Sequence, residues 1–448
     1  MKTTLLAGWG ANIRADCALA QPETARELAQ SLDRTGTIAR GLGRSYGDPA
    51  INASGQVLGM TRLDRYLGFD DATGTLTCEA GVSLARIIED FAPRGWFPMI
   101  TPGTKFVTVG GCIANDIHGK AHHAQGSFVS CVDALTVLLA NGETVRASRD
   151  ENADLFWATF GGMGLLGIVL TVTMRLRKIE TSYFRQKSVV AGSLAEMLDA
   201  LEEYDRVFPY SVATIDVYAS GAQLGRGVIA FGDHARRDEL PAKYARDPLR
   251  ISPPPRLSVP VELPEFTLNR LSIRAVNAFA QFTQRHLQPI GHYEGFFYPL
   301  DMLGHWNRGY GRRGFTQYQF VIPFEDGLQR MRTILEFILR SGELPFLNVL
   351  KRMGKASGGV LSFPREGFTF AIDFPIRDRT VSVVRELDKL VLEAGGRIYL
   401  GKDAYVDAAT FRAMYPAVEP WLAVKQKYDP TNVFTSNLAR RVGLLAPI

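Results

Sequence analysis

Cysteine is scarce in this chain of 448 residues: there are four, Cys17, Cys78, Cys112 and Cys131, and none stands in a CxxC pair. That spacing offers neither a disulfide framework nor a zinc site, and it points to a reducing, cytoplasmic setting. Charge of one sign is also missing, since 51 basic residues meet 46 acidic ones and the net +5 is spread along the chain. Without a basic run, nucleic acid is not an expected partner. No stretch approaches the roughly 20 apolar residues that cross a bilayer. The opening MKTTLLAGWGANIR interrupts its short apolar patch at Gly8, Trp9 and Gly10, too soon for the core of a signal peptide. Any membrane contact is therefore expected to be peripheral, at the inner face. No internal repeat is visible.

What is present is an ordinary folded composition, 46% hydrophobic and 22% charged, at a length that exceeds one core. Domains of roughly 100–200 residues make two lobes the natural division. A strand, a glycine loop and a second strand are expected across 36–60, because short apolar runs there are bounded by Gly and Asp. A strand at 74–80 precedes a helix that Ser83 can cap. Apolar runs around Asn141-Gly142 predict a hairpin within 134–148. A helical run at 152–160 stops at Gly161-Gly162, and an alternating strand at 168–176 closes the first lobe near 178. Beyond 287, strand-like runs at 295–298, 318–322, 368–374 and 397–400 alternate with helical ones at 325–341 and 377–394. This is the pattern of an α+β lobe with helices over an antiparallel sheet. Between them, 236–275 holds Pro241, Pro248, Pro253, Pro254, Pro255, Pro260 and Pro264 among many charges, and reads as an exposed, mobile excursion. It is either a plain surface loop or a lid or membrane-facing flap.

Two glycine segments carry the chemistry. The first is RGLGRSYGD at 40–48, where closely spaced glycines can turn backbone N–H groups toward one point and arginine adds charge. Alone it fits a ligand-free hairpin equally well. The second is PGT at 102–104 followed by TVGGCIANDIHGK at 108–120, and two such loops together suit a long dinucleotide. The sequence GMGLLG at 162–167 matches GxGxxG, but a helix-like run precedes it and a strand follows, the reverse of the Rossmann order. NAD is not expected there; the segment reads as a tight turn that can touch a cofactor. His118, His122 and His123 cluster, yet adjacent histidines point apart and no carboxylate or thiol pattern completes a set, so no metal is expected.

At these residues the sequence resembles the vanillyl-alcohol-oxidase-type (PCMH-type) FAD-binding oxidoreductases, within them a branch acting on polyprenyl-phospho-sugars. The resemblance extends through LFWATFGGMGLLGI at 155–168, PLDMLGHWNRGYG at 299–311, QYQFVIP at 317–323, FLNVLKRMG at 346–354, DFPI at 373–376, GGRIYLGKD at 395–403 and DPTNVFTSNLARR at 429–441, in order over nearly the whole chain. It implies an FAD lobe formed by 1–178 and completed by 412–448, with a substrate lobe at 179–411. FAD would be bound by Arg40, Gly41, Leu42, Gly43, Arg44, Ser45 and Tyr46, by Pro102, Gly103 and Thr104, by Gly110, Gly111, Asn115, His118, Gly119 and Lys120, and by Ile168 and Lys402. His118, Lys120, Phe297, Gln317, Gln319, Lys351 and Ala371 would meet the substrate, and Lys402, Gln319 and Tyr46 would carry the chemistry.

The activity implied is FAD-dependent oxidation of the 2-hydroxyl of a polyprenyl-phospho-β-D-ribofuranose to a 2-keto sugar, with a separate short-chain dehydrogenase/reductase partner completing epimerisation to the arabinose form. Many relatives tether FAD through a histidine in the first glycine loop; here Arg44 stands at that position, so the FAD is expected to be non-covalent. The family's pocket cysteine is Ala371, its pocket tyrosine Phe297, and an aromatic of the middle strand Thr214, which bears on the substrate more than on the chemistry. A soluble alditol or aldonolactone keeps the chemistry with another substrate. A non-catalytic flavin carrier would have no use for Lys402, Gln319 and His118.

Overall fold

The computed structural model describes residues 2–33, 35–253, 255 and 257–445. Pro254 and Arg256 of the proline-rich stretch and 446–448 of the C-terminal segment lie outside them. Three main sheets organise the chain. In the first, Lys2–Ala7, Arg14–Ala20, Gln56–Gly59 and Thr37–Arg40 lie in that spatial order. In the second, Tyr66–Asp70, Thr75–Glu79, Ile168–Lys178, Val132–Leu138 and Thr144–Ser148 run in sequence across the sheet, and Trp96–Pro98 also pairs with Ile168–Lys178. The expected hairpin about Asn141-Gly142 is the edge of this sheet. Ser83 caps Leu84–Phe91 by accepting from the Arg86 N–H.

After the long strand Ile168–Lys178 of the second sheet, the third begins, in chain order, at Tyr183–Ala191. Its eight strands follow the order Ile290–His292, Tyr183–Ala191, Gly227–His234, Tyr210–Ile215, Asn348–Met353, Gly367–Pro375, Phe315–Ile322 and Arg397–Ile398. Side chains alternate across such a sheet. Ala213, Ile215, Ile229, Phe231, Leu350, Phe370, Ile372 and Phe320 face a helix layer and are buried with it. That layer is Leu194–Tyr204, Gly327–Ser341 and Thr380–Glu393. Gly327–Ser341 buries Met331, Ile334, Leu335 and Ile338, the spacing of one helical stripe, and ends at Gly342 with φ +72°, a left-handed turn suited to glycine. Each such side chain contributes about 1.5–3 kcal/mol on burial. The opposite face of the sheet is left for the site.

The C-terminal segment returns to the first lobe. Trp421 Nε1 donates to the Ala158 carbonyl, and Lys425 Nζ donates to the carbonyls of Leu165 and Phe434 and to Asp429. Lys425 and Asp429 have no exposed surface.

Three expectations need correction. Residues 295–298 are not a strand: Tyr293–Phe297 is a short helix, opened by His292, whose side chain accepts from the Glu294 N–H. Helical geometry sends Phe296 and Phe297 together into a cluster with Phe184 and Tyr210, which outweighs the β preference of aromatics. The strand at 397–400 pairs only over Arg397–Ile398. The described residues of the 236–275 stretch are largely exposed but structured, with Leu257–Ser258 paired to Leu303–Gly304 and the end absorbed into a helix, Arg270–Arg285, that its composition did not suggest.

All four cysteines are buried and unpaired, and burial pushes the Cys78 and Cys131 thiols up to about 12. Native protein should therefore resist a thiol reagent at neutral pH, while denaturant should release four titratable thiols per chain. Rapid labelling of the native state would contradict that burial.

Candidate active site

Between the first lobe and the free face of the eight-stranded sheet lies a cavity of about 800 Å³. Its floor follows from strand alternation: Gln317 and Gln319 project from one strand, Ala371 from its neighbour, Val349 and Lys351 from the next, and Thr214 and Val212 from the one beyond. The other wall is made of the loops 41–46 and 102–104, the helix and loop at 110–120, and the turn and strand start at 162–169. Every residue expected in the site borders the cavity except Arg40. Its guanidinium donates to the carbonyls of Ala7 and Ala50, so it braces the glycine loop from behind.

The loops have local causes. Gly43 sits at φ +65°, and a Cβ there would lie 2.3 Å from the Arg40 guanidinium, so both backbone and space demand glycine. Thr108 accepts from the Gly111 N–H and opens the helix Val109–Ala114. Gly103 differs: a Cβ there would meet nothing within 4 Å, although the residue borders the cavity. No internal contact requires a glycine at that position, which suits a backbone approached by a ligand.

Arg44 stacks its guanidinium 3.9 Å from the centre of the Trp9 ring, and its buried Nε has no protein partner. Tyr46 is buried, and Lys402 Nζ stands 3.7 Å from the centre of its ring. Burial draws Lys402 down, opposed by Asp373 and assisted by Lys351. Asp373 accepts from Gln317 Nε2 at 2.6 Å and from the Tyr310 hydroxyl at 2.8 Å, while burial raises its own pKa.

His118 and Gln319 form a second unit. Gln319 Nε2 lies 2.9 Å from His118 Nε2 and also donates to Thr369 Oγ1, whose hydroxyl donates in turn to the Phe320 carbonyl. That chain of donors makes His118 Nε2 an acceptor and puts the imidazole proton on Nδ1. Burial, Lys351, His122 and Lys402 hold His118 well below its ordinary pKa, so the ring is neutral. Its Nδ1 is buried without a partner.

Lys351 reaches the Gly119 carbonyl and Lys120 the carbonyls of Phe296 and Phe297. Burial lowers them to about 8 and about 7, Lys351 adding to the effect on Lys120. Three lysine amines thus border one cavity, in which Asp373 and Asp301 are the nearby acids. The histidines do not converge, since His122 Nδ1 accepts from the Gly354 N–H and His123 bonds to the Phe208 carbonyl.

Sequence reasoning missed Trp9, Asp301, Asn277 and Trp306, all on the wall. Trp306 and Asp301 lie inside a stretch that carried the family resemblance, which was the available signal. Nothing local marks Trp9 or Asn277. The Gly162–Gly167 turn also borders the cavity, between Ala153–Thr159 and Ile168–Lys178, the reverse of a Rossmann unit.

Two family profiles match the chain, an FAD binding domain over residues 18–148 and D-arabinono-1,4-lactone oxidase over 313–442. Decaprenylphosphoryl-β-D-ribose oxidase of Mycolicibacterium smegmatis is 39% identical over 99% of this chain and 98% of its own length. L-gulono-1,4-lactone dehydrogenase of Mycobacterium tuberculosis is 24% identical over 97% of each chain, and D-arabinono-1,4-lactone oxidase of Yarrowia lipolytica 27% identical over 46% of this chain and 41% of its own. The walls fit FAD: Gly103 leaves room for it, and the unpartnered Arg44 Nε and His118 Nδ1 are donors that a phosphate or a ring carbonyl can answer.

Proposed function

Because the chain belongs to the family of decaprenylphosphoryl-β-D-ribose oxidase, an FAD-linked family, we propose that it oxidises the 2-hydroxyl of a polyprenyl-phospho-β-D-ribofuranose to the 2-keto sugar. The observation that carries this reading is the meeting of Lys402, Lys351, Lys120 and neutral His118 in one cavity. In the reaction a C–H bond breaks with its electron pair, the hydroxyl loses its proton, and C=O forms. FAD, when bound, supplies the two-electron acceptor.

The chain's own residues manage charge and position. The Lys402 ammonium stabilises negative charge on the carbinol oxygen as the proton leaves. The Tyr46 ring beneath it and the Asp373 network behind it keep that amine in place. Gln319, held by Thr369, fixes the His118 tautomer, whose free N–H is a donor to whatever lies beside it. Lys351 and Lys120 supply positive charge for a phosphodiester entering the cavity. A separate short-chain reductase then completes the arabinose form. Four buried, unpaired cysteines support the cytoplasmic setting inferred above, and a lipid-linked substrate requires peripheral contact with the bilayer.

Anaerobic flavin reduction is the direct test: polyprenyl-phospho-ribose should bleach the flavin, and free alditols should not. The aldonolactone profile over 313–442 favours a second reading, a soluble lactone or polyol substrate, and selective bleaching by those compounds would select it.

Arg44 has no nucleophile for a flavin tether, and its guanidinium is committed to Trp9. Acid or heat denaturation is therefore expected to release FAD intact. Flavin absorbance that stays with the precipitated polypeptide would contradict this.

A further inference from the structure

The helix Arg270–Arg285 roofs the cavity, and its two sides are unlike. Inward it buries Ile273 and Asn277, and Gln284 Nε2 donates to the Val212 carbonyl of the sheet. Outward it presents Leu271 at 80% exposure, Phe279 at 67% and Phe282 at 59%. At about 100° per residue these three fall within an arc of roughly 80°. Arg270, Arg274 and Arg285 line one flank of that arc, and the helix has no acidic residue. Large apolar side chains gathered on a surface mark a contact, and an apolar face flanked by arginines is the pattern of a helix lying in a lipid interface.

We propose that this outer face docks on an anionic lipid bilayer, with Leu271 and Phe282 entering the acyl boundary and the arginines meeting lipid phosphates. Phe279 belongs to the face and also borders the cavity, so the docked helix brings the site to the membrane surface. The inference deepens the reading of a lipid-linked substrate and rests on it for its purpose. A second copy of the chain is a poorer occupant. A two-fold contact through this face would bring arginines of both copies together, with no acid on either helix to answer them.

Co-sedimentation of the holoenzyme with vesicles tests the proposal. It should pellet with phosphatidylglycerol/phosphatidylcholine vesicles and far less with phosphatidylcholine alone. Leu271→Ser/Phe282→Ser should weaken vesicle binding by about tenfold or more, and Arg270→Gln/Arg285→Gln should remove the preference for phosphatidylglycerol. Both variants should keep the wild-type melting temperature, flavin absorbance and flavin reduction by a short-tailed soluble substrate, because none of the four residues borders the cavity. Wild-type protein left in the supernatant with both vesicle types would overturn the proposal, as would a Ser variant that binds like wild type. A wild-type dimer in sedimentation velocity that the Ser variant dissolves would also overturn it and assign the face to a second copy. Intact vesicle binding with no flavin reduction by any polyprenyl-phospho-ribose would remove the substrate reading and leave the membrane face standing.

Discussion

Lys402→Met should leave FAD bound and slow flavin reduction by about a hundredfold or more. The amine sits over Tyr46 at the rim of the Gly401 turn, where the Lys402 N–H bonds back to the Tyr399 carbonyl and holds the residue against the cavity. Its charge is worth most where negative charge develops, on the carbinol oxygen as the proton departs, and losing one preorganised partner of this kind costs on the order of 3 kcal/mol. Methionine keeps the length and the contact with the ring and removes the charge. Burial draws the Lys402 pKa to about 7, so the ammonium is present below that value and lost above it. Reduction by wild type should therefore fall as pH rises through neutrality, and the Met variant should lack that limb. Stopped-flow reduction of the variant within threefold of wild type would mean that Lys402 only packs. A wild-type rate that instead falls toward acid would make the neutral amine the acceptor of the proton.

The second large effect is on stability. Lys425→Met should destabilise the protein by about 3–5 kcal/mol, because it strands a buried carboxylate. Lys425 Nζ holds Asp429 at 2.8 Å and the carbonyls of Leu165 and Phe434 at 2.8 and 2.9 Å, all out of water. Leu165 belongs to the Gly162–Gly167 turn on the cavity wall, so the variant should also hold its flavin less tightly. Adding Asp429→Asn removes the stranded charge and should recover part of the loss. Urea unfolding that places the single variant within about 1 kcal/mol of wild type would equate this pair with a surface ion pair. No recovery in the double variant would point to lost packing rather than charge.

The parts of the site that could be read in advance are those with local causes. Gly43 needs its left-handed backbone whatever surrounds it, and Thr108 caps the helix that follows it in the chain. The stripe of Met331, Ile334, Leu335 and Ile338 announces its helix without reference to the sheet it covers. Gln317 and Gln319 are two apart on a strand and must share a face. Those signals, with the family resemblance, point to residues that border the cavity on both of its sides. What they do not reveal is set by partners elsewhere in the chain. Arg40 adjoins the glycines in sequence, and it is Ala7 and Ala50 that claim its guanidinium. The run at 295–298 looks like a strand, yet its aromatics pack best from a helix once Phe184 and Tyr210 are in place. The start of the helix Arg270–Arg285 follows seven prolines between 241 and 264, and its place is set by the sheet below, where Gln284 meets the Val212 carbonyl.

Sequence alone therefore determined the α+β class, the alternation that puts Gln317 and Gln319 on one face of their strand, and the glycine turns that leave room for FAD, because each depends on backbone preference or on spacing within a single element. Tertiary structure alone decided which of these groups meet. Lys402 comes over Tyr46 and His118 against Gln319 across separations of hundreds of residues, and Asp373 gathers Gln317 and Tyr310 behind them. The charge states follow from the same closure. A lysine or a histidine acquires its altered pKa only when folding takes it from water and sets other charges beside it, and no neighbour in the chain can do that in advance.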